Sequence, residues 1–297
     1  MSLTKKSYTR VTLALDIVRK IEEGPFKDYH ELGTVKHAID LCDTVSVEDS
    51  DFDLLECDDP AVPCDDRNVC LKAVRLVQNE FAVDRHVIIR LQKRIPVKGG
   101  LAGGSANAAT TLNLLNELWG LKLPLSRLIG LGRKIGMDVP YCFVGKSAFD
   151  SEAGLKLSPI PTNSAFTFVL AIPDFGVSTS EAYAGIDYST VNQNHNLTRT
   201  LRDGLVVDDR AAVIASMHND FERSVFLRFP RLALIKHELL EAGCIGAVMT
   251  GSGSTVIGIA RDCLQAETIA GKIENCRTII ASTLTSKTER PTKAGKQ

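Results

Sequence analysis

The chain has 297 residues, 44% hydrophobic and 24% charged, the make-up of a folded globular protein with room for one large domain or two modest ones. A net charge of −1 leaves no basic footprint for a nucleic-acid backbone, and no apolar run reaches the ~18 residues of a membrane helix, so neither partner is expected. The first residues lack the apolar core and cleavage site of a signal peptide, and the eight cysteines form no CxxC pair, so reduced packing thiols in a cytoplasmic protein are expected.

Val11, Leu13, Leu15 and Ile17 alternate with Thr12, Ala14 and Asp16, which predicts a strand with one buried face. A short extended run at 43–47 precedes an acidic stretch at 48–66. Within that stretch, 49–53 begins like a calcium loop, but Leu54 stands at the required glycine and Pro60 at the closing glutamate. A solvated acidic hairpin is therefore expected. Apolar residues at helical spacing predict a helix over 68–79, and 86–91 reads as a strand. Helices are predicted over 105–120, where Gly120 ends the apolar periodicity, and from Pro124 to about 135. Beyond about Asp150 the chain offers a buried strand at 166–172, then a polar linker carrying Asn192, Asn194 and Asn196. Helices follow at 211–217, 220–226 and 230–242, strands at 247–249 and 255–259, a helix at 264–273 and a strand at 278–281. Without regular βαβ alternation, the class is α+β in two halves.

Four glycines and a serine lie between a strand and a long helix in Gly99-Gly100-Leu101-Ala102-Gly103-Gly104-Ser105. Missing side chains let backbone N–H groups converge on an anion, and the following helix adds its positive end. A tight turn alone would need one glycine, so a phosphate cradle is the better reading. It is neither a Rossmann turn, since G-x-G-x-x-G is absent, nor a Walker A loop. Gly145-Lys146-Ser147 resembles a Walker A tail, but Pro140 stands where the first glycine belongs, and Lys146 reads as a surface turn residue.

The loop at 99–109, together with Gly136-Met137-Asp138-Val139-Pro140 and Thr250-Gly251-Ser252-Gly253 in that order, is similar to the motifs of the GHMP kinase superfamily. Asp28-Tyr29-His30-Glu31-Leu32, Leu114-Leu115-Asn116-Glu117-Leu118-Trp119, and Gly176-Val177-Ser178-Thr179 followed by Tyr183 resemble its branch acting on 4-diphosphocytidyl-2-C-methyl-D-erythritol. The resemblance implies a two-lobed α+β fold, ribosomal-protein-S5-domain-2-like over residues 1–158 and ferredoxin-like over 159–288, with 289–297 as a flexible tail. It implies ATP-dependent phosphorylation of the substrate 2-hydroxyl, in a monomer or homodimer, with ATP and Mg²⁺ as cofactors. Asp138 is then the general base. Pro96, Gly99, Gly100, Leu101, Ala102, Gly103, Gly104, Ser105 and Ala106 hold ATP phosphates, with the Ser105 hydroxyl also turned to the metal. Asn68 contacts the nucleotide base or caps a helix, and Asn107 adds a polar contact or a cap. Tyr29 and His30 hold the cytosine ring, Tyr183 covers its other face and Thr179 lies beside it. Thr12, Gly251, Ser252 and Gly253 border the substrate.

Three positions depart from the pattern. Arg10 stands where the family has a lysine paired with the aspartate, Thr12 where it has asparagine, and Ser254 where it usually has proline. Arginine cannot shuttle a proton, but it can lower the pKa of Asp138 and hold positive charge near the transferred group, as the galactokinase branch does. The segment 22–27 ahead of Tyr29 is longer than the resemblance leads one to expect. Two other readings fit the same residues: a GHMP kinase for a sugar or mevalonate-type alcohol, or a nucleotide-binding relative without catalysis.

Overall fold

The computed structural model describes residues 1–23, 27–152 and 156–285. The tail at 289–297 and positions 24–26 of the longer segment lie outside the described residues. β1 (Ser2–Lys20) and β2 (His30–Ser50) form a long antiparallel hairpin whose register shifts three times, between Tyr8 and Arg10, Thr12 and Ala14, and Ile17 and Arg19. The expected single buried face of β1 is corrected: every residue from Thr9 to Ile17 is buried. Its polar set tolerates burial because it is paired. The Thr9 hydroxyl donates to the Leu101 carbonyl, and Asp16 accepts from Thr198 and faces His218. The extended run at 43–47 is the second half of β2, not a separate strand.

The acidic stretch contains β3 (Leu54–Cys57), which sequence periodicity missed. α1 (Val69–Phe81) follows, then β4 (His86–Gln92), α2 (Gly103–Leu118), α3 (Leu125–Ile135), α4 (Val139–Val144), β5 (Ser147–Ser151) and β6 (Lys156–Pro159). The later part holds β7 (Thr167–Ile172), α5 (Thr179–Ala184), α6 (His195–Val206), α7 (Arg210–Ala215), β8 (His218–Asn219), α8 (Phe221–Arg228) and α9 (Pro230–Glu241). β9 (Gly246–Met249), β10 (Val256–Ala260), α10 (Cys263–Ala270) and β11 (Arg277–Ser282) complete it. The polar linker is thus largely α6, which buries Thr198, Leu201 and Leu205 at helical spacing.

The first sheet runs β3-β4-β2-β1-β8, with β5 pairing the first half of β2 on the side where β4 pairs its second half. The second runs β11-β7-β10-β9, all antiparallel. In chain order that is four-one-three-two, with a helix before the second and fourth strands, the ferredoxin-like arrangement. The sheets share a core: Val11, Leu13, Val35 and Ile39 pack with Phe166, Phe168, Leu170 and Ile257. β8 of the later half also joins the first sheet through β1, so strand pairing as well as packing ties the two halves. Among the described residues, no helix is long and apolar enough to cross a membrane.

Candidate active site

The exit from β4 is pinned by buried Asp43, whose Oδ1 accepts the N–H groups of Arg94 at 2.7 Å and Ile95 at 2.9 Å, while Lys93 Nζ binds the other oxygen. The chain then turns through left-handed backbone at Lys98, Gly100 and Ala102, with φ of 58°, 71° and 55°. Non-glycine residues hold such angles at a cost, where the surroundings fix them. Ala102 caps α2 without a side-chain hydrogen bond, so the helix begins with its first N–H groups uncapped at the cavity wall. Asn107 is no cap. It lies inside the helix, 2% exposed, and accepts from Ser7 at 3.4 Å.

The glycines answer to neighbouring protein as much as to a phosphate. A Cβ on Gly100 would come within 2.3 Å of the Thr250 carbonyl oxygen, and one on Gly99 within 2.9 Å of Thr255 Oγ1. A Cβ on Gly103 would meet Ile95 Cγ2 at 2.8 Å, so this residue is glycine for packing beneath the loop. At Gly104 a Cβ would meet only Val69, at 3.7 Å. The two glycine turns therefore dock into one another. Thr12 N–H donates to Thr250 Oγ1 at 2.8 Å and ties β1 to the same junction.

Asp138 stands at the start of α4, its side chain 31% exposed. Arg10 Nη2 donates to Oδ2 at 2.7 Å and Lys36 Nζ to Oδ1 at 2.6 Å. Arg10 Nη1 also donates to the Gly100 carbonyl at 2.8 Å and Thr12 Oγ1 at 2.9 Å, joining carboxylate, loop and β1. Lys36 binds a second carboxylate, Asp150 on β5. Burial alone would push the Asp138 carboxyl up; the Arg10 guanidinium and Lys36 ammonium more than offset it and hold it well below the usual carboxylate range. For Lys36, burial acts downward, and the two carboxylates overcome it to raise its pKa. Asp150 is raised, burial outweighing Lys36. At neutral pH Asp138 is ionised and Lys36 protonated.

At the far end of the cleft, His30 packs on Tyr183 with ring centroids 4.2 Å apart, and Tyr183 sets its edge against Phe221 at 4.9 Å. His30 Nε2 is 2.5 Å from Tyr188 Oη, a residue that the sequence reading did not single out. Burial and nearby Lys20 lower the His30 pKa, so its ring is neutral at pH 7. Tyr29 is 54% exposed at the rim.

One cleft of about 1020 Å³ is lined by all the sequence-predicted site residues except Ala106. Ala106 is 2% exposed, and its N–H donates to the Ala102 carbonyl at 3.0 Å within the first turn of the helix. Asn68 borders the cleft as the α1 cap: Oδ1 accepts from Cys70 N–H at 2.9 Å and Nδ2 donates to the Pro63 carbonyl at 2.7 Å. Both ends of its side chain are thereby engaged. Lys36 and Asp150, which periodicity did not mark, line the cleft as well. Among the described residues, no group of three or more His, Cys, Asp or Glu side chains is placed to hold a metal.

Fold and cleft together are those of a GHMP kinase: the model for "GHMP kinases N terminal domain" matches residues 68–146 and that for "GHMP kinases C terminal" matches 201–277. A 4-diphosphocytidyl-2-C-methyl-D-erythritol kinase of Clostridium botulinum is 35% identical over 263 residues, 88% of this chain and 92% of the relative. One from Gloeobacter violaceus is 37% identical over 246 residues, 82% of each chain. A crystal structure of 4-(cytidine 5'-diphospho)-2C-methyl-D-erythritol kinase superposes with a TM-score of 0.78 at 25% identity, covering 94% of this chain and 98% of the other. The chain belongs to the 4-diphosphocytidyl-2-C-methyl-D-erythritol kinase family.

Proposed function

We propose that this chain transfers the γ-phosphoryl group of ATP to the 2-hydroxyl of 4-diphosphocytidyl-2-C-methyl-D-erythritol. One observation carries the reading. A single cleft brings together the uncapped start of α2, the Asp138 carboxylate with its two cations, and the aromatic set Tyr29, His30 and Tyr183. The first holds an anion, the second meets the acceptor hydroxyl and the third suits a pyrimidine ring.

The backbone N–H groups at the start of α2 would hold the ATP phosphates. Mg²⁺ bound to those phosphates would supply charge neutralisation, with Ser105, on the cleft wall in the first turn of α2, the residue whose hydroxyl would hold it. Asp138 orients the 2-hydroxyl and takes its proton late. A weakly basic carboxylate suffices, because a loose transition state makes the attacking hydroxyl acidic only as the new bond forms. Arg10 and Lys36 keep the carboxylate ionised and fixed. His30, neutral at pH 7 and held through Nε2 by Tyr188, has Nδ1 left to meet the cytosine edge, as donor or acceptor according to its tautomer.

The test is ADP release with ATP and this cytidylylated polyol, with the product's new phosphate placed by ³¹P NMR. Acceptor-dependent release is expected, lowered roughly 10²-fold or more in Asp138→Asn with ATP affinity retained. No acceptor-dependent release from the folded wild type would overturn the reading.

A further inference from the structure

We propose that Lys36 is a positioning residue for phosphoryl transfer, acting through Asp138, and that Asp150 is its charge partner. The inference rests on the kinase reading of Asp138 and extends it to two residues on other strands. Three strands meet at this point. Lys36 on β2 lies opposite Thr12 on β1, and Thr34, two residues away on the same face, lies opposite Asp150 on β5. The Lys36 side chain is 5% exposed and that of Asp150 9%.

Each oxygen of Asp138 carries one cation, Arg10 on Oδ2 and Lys36 on Oδ1. Arg10 alone would leave the carboxyl free to rotate about the bond that joins it to Cβ. The second cation, arriving from another strand, fixes the plane of the carboxylate. It also places a second positive charge beside the site of transfer. Two cations against one carboxylate would leave a buried excess charge, which is costly. Asp150 cancels it, so the quartet is neutral. The other oxygen of Asp150, Oδ1, is buried without a hydrogen-bond partner, so this carboxylate is held by Lys36 and by little else. A buried ion pair seldom stabilises a fold more than apolar side chains of the same size. Its place at the cleft wall, on the carboxylate of the proposed base, supplies the reason for keeping it.

The test compares the wild type with Lys36→Met/Asp150→Asn, which removes both charges and leaves neither residue ionised without a partner. The Asp138 carboxyl is titrated by ¹³C NMR in aspartate-labelled protein, and kcat and the KM for ATP are measured across pH. The Asp138 titration should rise in the double variant, kcat should fall by roughly 10²-fold, the scale of a mispositioned base, and its acid limb should move up in pH, with the KM for ATP within about threefold. An unchanged Asp138 titration, or kcat within about threefold of wild type, overturns the proposal. So does a parallel loss of ATP affinity, which marks a structural pair. If the wild type turns over no acceptor, the proposed function falls, and the Asp138 titration still decides the role of Lys36.

Discussion

Gly100 and Gly251 face each other backbone to backbone. A Cβ on Gly251 would lie 2.8 Å from the Gly100 carbonyl oxygen, and both residues hold left-handed backbone, with φ of 71° and 59°. The same Gly100 carbonyl accepts from Arg10. The glycine loop of the first half is thus shaped by a turn from the second.

Gly100→Ala should therefore cost at least about 2 kcal/mol, combining left-handed strain with a backbone clash. Gly104→Ala, whose new methyl meets only Val69, should stay within about 0.5 kcal/mol. Urea unfolding of the two variants checks the contrast. Equal stabilities would mean that the two turns do not shape each other.

Arg10 serves three acceptors at once: Asp138, the Gly100 carbonyl and the Thr12 hydroxyl. A lysine amine at the end of a single stem cannot reproduce that fork. Arg10→Lys should retain much of kcat and lose ATP affinity several-fold as the loop loosens. Arg10→Met should lose about 2–4 kcal/mol of transition-state stabilisation, read from kcat/KM. Wild-type kinetics in Arg10→Met would reduce Arg10 to a packing residue.

Tyr188 holds His30 by one hydrogen bond of 2.5 Å. Tyr188→Phe keeps the ring and removes the bond. The KM for the cytidylylated acceptor should rise roughly 3- to 10-fold, the worth of one hydrogen bond, with the KM for ATP unchanged. Equal changes in both constants would place Tyr188 outside acceptor recognition.

The glycine loop at the head of α2 was legible because its signature is local: glycines, a serine and a helix start within a dozen residues. The Asp138 constellation was only half legible. Lys36 lies 102 positions from Asp138 and 114 from Asp150, and nothing along β2 distinguishes it from a solvated lysine. The full length of β2 was hidden for a related reason. Its Lys36, His37 and Asp43 are buried with partners, so they break the apolar alternation that marks a strand. α6 was masked by the asparagines at and ahead of its start, Asn192, Asn194 and Asn196, although Leu201 and Leu205 carried the helical spacing. The packing roles of Gly100 and Gly103 had no signal at all, because Thr250 and Ile95 meet them only in the folded chain.

His218 on β8 sits 3.0 Å from Asp16 on β1 and joins the halves. Burial pushes its pKa down, but the Asp16 bond and the Ser216 carbonyl more than offset this and leave it raised. A raised folded-state pKa gives stabilisation that is complete below the unfolded value near 6.5 and is lost as pH rises through the folded value. The unfolding free energy of the wild type should therefore fall on that rise by more than in His218→Gln. Parallel curves would sink the linkage.

The pairing of β8 with β1 has a consequence for synthesis. Ala14 emerges early from the ribosome, and its partner His218 follows 204 positions later. At about 5–20 residues per second, the first strand waits roughly 10–40 s for that neighbour, with Val11 and Leu13 still lacking cluster partners as late as Val248, Ile257 and Ile259. The nascent chain carries an unfinished sheet edge for that interval, so a chaperone that shields β1 during translation should raise the yield of folded enzyme more than one supplied after release.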